Sequence, residues 1–303
     1  MMRTAFIVLG VIFSIWSSPL YAIKKAEGCL FIIGGGARSE QMMKKYVELS
    51  LRAPGKKTII FPMASSVPEE SGQGMVEELK NLGIQDVEYL ILNREQALDS
   101  ENVKLLNDAG SIYFTGGDQS RLTAALVDTP IHQKLLEIYE KGGVIGGTSA
   151  GAAVMSKIMI TGSEKIQVNE DRPFDKILAD NIVFASGFGF MQTAIIDQHF
   201  VARKRHNRLI SLVAEYPALL GIGIDESTAI LVKPDETFEV LGSQSVIVYD
   251  ATRAKINILP SHSLSGFQII MHILKPGDIF DLKTKEPSEK KPIFQVSESR
   301  NVT

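Results

Sequence analysis

The chain has 303 residues, a formal net charge of −3, and 45% hydrophobic against 22% charged side chains. That apolar content excludes disorder as the main state, and 25 glycines with no fixed period and one cysteine exclude collagen-like and disulfide-scaffold proteins. Mild acidity argues against nucleic acid, which calls for a basic stripe.

Residues 1–22 read MMRTAFIVLGVIFSIWSSPLYA, with one arginine and no acid. A basic start at Arg3 leads into an apolar run of 12 residues, Ala5 to Trp16, followed by Ser17, Ser18, Pro19 and the small Ala22. This is the three-part plan of a secretory signal peptide, and the run is too short for a hydrocarbon core of roughly 30 Å. A cleaved leader is expected, hence a secreted or periplasmic protein with no stable membrane insertion. A buried first strand or an uncleaved anchor are the alternatives. Cys29 is then the sole thiol of an exported chain, so no internal disulfide is available and stability rests on the core. It opens an apolar run and reads as a buried strand thiol.

Leu30–Ile33 reads as a strand that ends in Gly34-Gly35-Gly36. Glu40–Leu51 repeats apolar residues at helical spacing. Thr58–Phe61 is a strand, Val67–Leu82 a helix, and Val87–Leu92, Ser111–Thr115 and Val144–Gly147 are further strands. Helices near Arg121–Leu126 and His132–Lys141 lie between them. Strands apolar throughout and joined by helices argue for an α/β fold, a three-layer, mostly parallel sheet covered by helices. Beyond about Ile182 strands crowd together: Ile195–Gln198, Leu219–Ile224, Ala229–Val232, Phe238–Leu241 and Ser245–Tyr249, with one helix, Phe200–Glu215. These read as mixed or antiparallel strands extending the same sheet. A single catalytic domain over 23–282 follows, with a polar tail, 283–303, expected to be mobile.

The sharpest chemical signal is Gly147-Thr148-Ser149-Ala150-Gly151, which fits G-x-S-x-G at a strand-to-helix turn. Such a turn lifts the serine hydroxyl above the sheet in a strained backbone position, and the small neighbours let strand and helix approach. Backbone N–H groups at the start of the next helix then face an oxyanion. A serine nucleophile needs a base. His132 lies in a charged helix and reads as solvated, His206 as surface helix, His262 as part of a Ser-rich turn and His272 as part of a late strand, Phe267–Leu274. His199 ends the apolar strand Ala194–Gln198, where open α/β sheets place their sites. The third group is a carboxylate. Asp225 and Glu226 end another apolar strand and point to opposite faces if it continues. Chemistry alone does not choose between them or exclude Asp197.

Asp197-Gln198-His199-Phe200 runs into Arg203, Lys204, Arg205 and Arg208. Arginines near a nucleophile suit a carboxylate-bearing substrate, while Asp197 suits a guanidinium or ammonium. Solvated helix faces are the plainer reading for Arg203 and Lys204. The loop Phe114-Thr115-Gly116-Gly117-Asp118-Gln119 ends another strand. Its glycines permit close backbone approach to a ligand, giving an oxyanion N–H with the Gln119 amide reading the substrate. No His/Cys/Asp set has metal-ligand spacing, so neither metal nor cofactor is expected.

With these segments in that order, the chain resembles the cyanophycinase and aspartyl dipeptidase (peptidase E) family of serine peptidases, closest to the cyanophycinase branch. The resemblance covers residues 29 to about 250. It implies a glutamine-amidotransferase-like (flavodoxin-like) fold, commonly a homodimer, with a Ser-His-Glu triad. By position, Ser149 is nucleophile, His199 general base and Glu226 its orienter. Gly116, Gly117 and Ala150 then supply the oxyanion hole, and Gln119, Asp197, Gln198, Arg203, Arg205 and Arg208 line the substrate pocket. One departure is the set of larger residues between the arginines, Lys204, His206 and Asn207. The expected substrate is cyanophycin, a polyaspartate bearing arginine on its side chains, cut to β-Asp-Arg dipeptides. An aspartyl dipeptidase or other small-amide hydrolase is the second expectation, and a non-catalytic periplasmic binding protein a third.

Overall fold

The computed structural model describes residues 26–166, 171 and 173–288. The expected leader, residues 1–22, and residues 289–303 of the expected tail lie outside them. In chain order the strands are β1 Cys29–Ile33, β2 Lys57–Phe61, β3 Val87–Tyr89, β4 Ala109–Phe114, β5 Val144–Thr148, β6 Ile158–Glu164, β7 Ile182–Ser186, β8 Ala194–Gln198, β9 Leu220–Ile224, β10 Thr228–Val232, β11 Thr237–Gly242, β12 Val246–Asp250, β13 Lys255–Ile258, β14 Leu264–Phe267, β15 Ile270–Leu274, β16 Ile279–Asp281 and β17 Glu286–Pro287. The helices are α1 Glu40–Arg52, α2 Pro68–Asn81, α3 Arg94–Leu98, α4 Gln119–Leu126, α5 Pro130–Glu140, α6 Ala150–Ala153 and α7 His206–Glu215, with a 3₁₀ turn at Ser100–Leu106.

The central sheet has nine strands in the order β17-β16-β11-β10-β1-β5-β4-β2-β3. From β1 to β3 every neighbour is parallel, whereas β10, β11, β16 and β17 pair antiparallel. The parallel half is apolar on both faces, as helical cover demands. Phe31, Ile33, Ile60 and Tyr113 pack with Met42, Tyr46 and Leu79 of α1 and α2. Leu30, Ile32, Ile112 and Phe114 face Leu122, Leu126, Ile131 and Leu135 of α4 and α5 on the other side.

The late strands do not all extend that sheet. β15-β12-β9-β8 form a second sheet of four strands. Strand alternation explains why. Ile196, Ile222 and Val248 face the core shared with the central sheet, while Ile195, Ile247 and Tyr249 pack on Leu209, Leu212 and Val213 of α7. The second sheet thus needs cover of its own. The strand expected over Phe267–Leu274 is the shorter β15, Ile270–Leu274, and the β6–β7 and β13–β14 hairpins have no counterpart among the expected strands.

Three local expectations are corrected. The helix expected from Phe200 starts at His206, because His199 and Lys204 adopt left-handed φ of 48° and 53°. His132 is buried rather than solvated: Nδ1 accepts from the Asp128 N–H (3.2 Å) and Nε2 bonds to the Phe188 carbonyl (2.9 Å). The tail's first residues are held in place, since Lys283 and Thr284 donate to the Asp281 carboxylate and β17 pairs with β16. Cys29 is half-buried, its thiol pushed up to about 11 by burial. Among the described residues no helix is long and apolar enough to cross a membrane.

Candidate active site

The site lies where β1, β5, β8 and β9 end together. β5 delivers Ser149, which sits at φ 53° and ψ −108° with its main chain turning into α6. That conformation is strained for a residue with a side chain. It is tolerable because the contacts around it are small: a Cβ at Gly147 would lie 2.4 Å from the Gly151 carbonyl oxygen. The helix that follows is a single turn, Ala150–Ala153, whose Ala152 and Ala153 N–H groups donate to the Ser149 carbonyl (2.9 and 3.0 Å).

β8 delivers His199. Its Nε2 is 2.8 Å from Ser149 Oγ, and its Nδ1 is 2.6 Å from Glu226 Oε1, just past β9. The three acids named above therefore part company. Asp225 turns away and accepts the N–H groups of Val201 and Ala202. Asp197 is buried against Arg208. Glu226 alone of the three reaches the imidazole.

The glycines after β1 hold this series together, a role that their short run in the sequence did not signal. Three consecutive carbonyls of that segment each take one N–H. Ile33 accepts from Ser149 (3.0 Å), Gly34 from His199 (2.7 Å) and Gly35 from Ser227 (2.8 Å), the residue after Glu226. A Cβ at Gly35, which sits at φ 109°, would lie 2.3 Å from the His199 ring.

Gly116 borders the serine: a Cβ there would meet Ser149 Cβ at 3.4 Å. Gly117 adopts φ 136° over the Ala64 carbonyl. Among the described residues the N–H groups of Gly116, Gly117 and Ala150 have no acceptor. Gln119 is buried, and its Nε2 donates to the Ile160 (2.7 Å) and Thr161 (3.0 Å) carbonyls of β6. Its amide nitrogen thus anchors that hairpin.

The polar residues around His199 differ in access. Asp197 and Arg208 are 1% and 2% exposed and form a two-pronged ion pair, Arg208 Nε to Oδ2 at 2.7 Å and Nη2 to Oδ1. Instead of lining a pocket, they lock β8 to α7, with Phe174 beneath the guanidinium. Arg205 is half-buried and donates to the Gln198 carbonyl (2.7 Å), with its pKa pushed down to about 10 by burial. Gln198 Oε1 is buried with no partner among the described residues. Arg203 is exposed. Burial holds the His199 pKa below its ordinary value against the raising effect of the Glu226 bond, and the positive charge of Arg203 lowers it further. A neutral imidazole with Nδ1–H on Glu226 leaves Nε2 free to accept from Ser149.

The sequence profile of peptidase family S51 matches residues 30–240. The chain belongs to this family. The peptidase is 32% identical to a cyanophycinase of Synechococcus elongatus over 277 residues, 87% of this chain and 82% of that one. It is 37% identical to a cyanophycinase of a Nostoc species over 230 residues, 74% of each chain. Its fold superposes on the crystal structure of a peptidase from an acI-B1 Actinobacterium with a TM-score of 0.61 at 24% identity, covering 85% of this chain and 98% of that one. The peptidase is of the serine class.

Proposed function

We propose that the peptidase is an exported cyanophycinase that cuts cyanophycin to β-Asp-Arg dipeptides through an acyl-enzyme. The hydrogen-bonded series Ser149–His199–Glu226 carries the catalytic part of this reading. Similarity to cyanophycinases supports the substrate. Ser149 Oγ attacks the amide carbonyl carbon as its proton passes to His199 Nε2. Glu226 keeps Nδ1–H directed and stabilises the imidazolium. The N–H groups of Gly116, Gly117 and Ala150 meet the developing oxyanion, and losing one such donor costs about 3–4 kcal/mol of barrier. His199 then protonates the leaving amine. Water, deprotonated by His199, attacks the acyl carbon and frees the acid. The scheme uses no cofactor.

Arg203 and Arg205 take the substrate's carboxylate side, and the unpartnered Gln198 Oε1 accepts from a guanidinium or ammonium. Asp197 and Arg208 fix the frame behind them. The test is incubation of the folded protein with insoluble cyanophycin and chromatography of the soluble products. β-Asp-Arg is expected, and no release by the folded protein overturns the substrate. Cleavage of short Asp-X peptides with no attack on polymer would make it an aspartyl dipeptidase. Export and a homodimer complete the proposal. They predict a mature chain starting at Ile23 and a solution mass of two chains by light scattering.

A further inference from the structure

We infer that Asp225 is a positioning residue for His199: its buried carboxylate fixes the backbone turn on which the imidazole stands. Asp225 is 7% exposed. Its Oδ1 accepts two N–H groups, those of Val201 (3.1 Å) and Ala202 (2.9 Å). These donors are the second and third residues after His199. The turn makes its own bonds further along: Arg203 to the His199 carbonyl, Lys204 to Val201 and Arg205 to Phe200, each at 3.0 Å. None of these uses the Val201 or Ala202 N–H, so the carboxylate is what satisfies both.

His199 needs such a hold. Its φ of 48° lies in the left-handed region, which a residue with a side chain occupies only where neighbours over-determine it. The His199 N–H is bound to Gly34 and the next N–H, that of Phe200, to Ile224. For the two residues after Phe200 the hold is Asp225. Adjacent acids thus grip one histidine from two sides, Glu226 at ring Nδ1 and Asp225 through the main chain just beyond it.

The inference rests on the reading of His199 as base, and the experiment separates the two. Ser149 is labelled with a small fluorophosphonate, which needs the Ser–His geometry but not the arginines. Rates are compared for the parent, Asp225→Ala, Asp225→Ser, Asp225→Asn and His199→Ala, with folding checked by near-UV circular dichroism. Asp225→Ala and Asp225→Ser are expected to fold and to label about 10- to 100-fold more slowly, the cost of a small misplacement. In peptide hydrolysis the loss is expected in kcat rather than KM. Asp225→Asn keeps an oxygen for both N–H groups and is expected within about threefold of the parent. Parental labelling by folded Asp225→Ala or Asp225→Ser overturns the inference. So does unfolding of both, which would assign Asp225 to stability alone, or failure of Asp225→Asn to restore the rate. Parental labelling by His199→Ala would overturn the base reading itself, and Asp225 with it.

Discussion

At the scale of single residues, the site makes sharp demands on small groups. Ser149→Ala is expected to lower kcat by about 10⁴-fold or more, measured on peptide or polymer with the fold intact. Gly35→Ala would drive a methyl into the His199 ring. It is expected to cost at least about 100-fold in kcat/KM. The His199 pKa, held down by burial and by Arg203, sets the acid limb of the pH profile. The base works when neutral, so activity rises with pH through a midpoint below the ordinary 6.5 or so of histidine. Arg203→Gln removes a repelling charge, so the midpoint should move to higher pH. A fixed or falling midpoint would show that Arg203 does not tune the base.

At the scale of elements, the buried Asp197–Arg208 pair joins β8 to α7. Arg208→Met would strip the buried Asp197 of its two-pronged partner and leave only Arg205, 3.9 Å away, at a cost of about 3 kcal/mol. Thermal melting should fall by roughly 10 °C, and an unchanged melt would refute the locking role. Elements also mark what the sequence could and could not disclose. Ser149 and His199 could be singled out as candidates because each follows an apolar strand, which is a local pattern. That pattern did not choose between Asp225 and Glu226, since the choice depends on how the chain turns after Ile224, and only the family resemblance assigned Glu226. Arg208 was expected in the pocket lining, and its burial was not legible because it depends on how α7 packs on β8, which brings the guanidinium onto Asp197. His132 misled in the same way, its partner being the distant Phe188 carbonyl.

At the scale of the whole molecule, the α/β class was legible from apolar strands alternating with helices. The division of the late strands between two sheets was not, since periodicity says which face is apolar but not what covers it. The role of Gly34-Gly35-Gly36 is of this global kind too. Ser149, His199 and Ser227 each bond to successive carbonyls of one short segment at the end of β1. Deleting residues 26–33 removes that strand, and purified protein so shortened is expected to show no Ser149 labelling.

The same three carbonyls order events during synthesis. The segment that sets the register leaves the ribosome first, yet its last partner, Ser227, follows roughly 190 residues later. Such separations make closure a late, non-local step. A nascent chain therefore holds its serine, its histidine and its glutamate as disconnected parts until most of the polypeptide has been translated. On the proposed triad, Ser149 labelling is expected only once the chain has been made past Ser227.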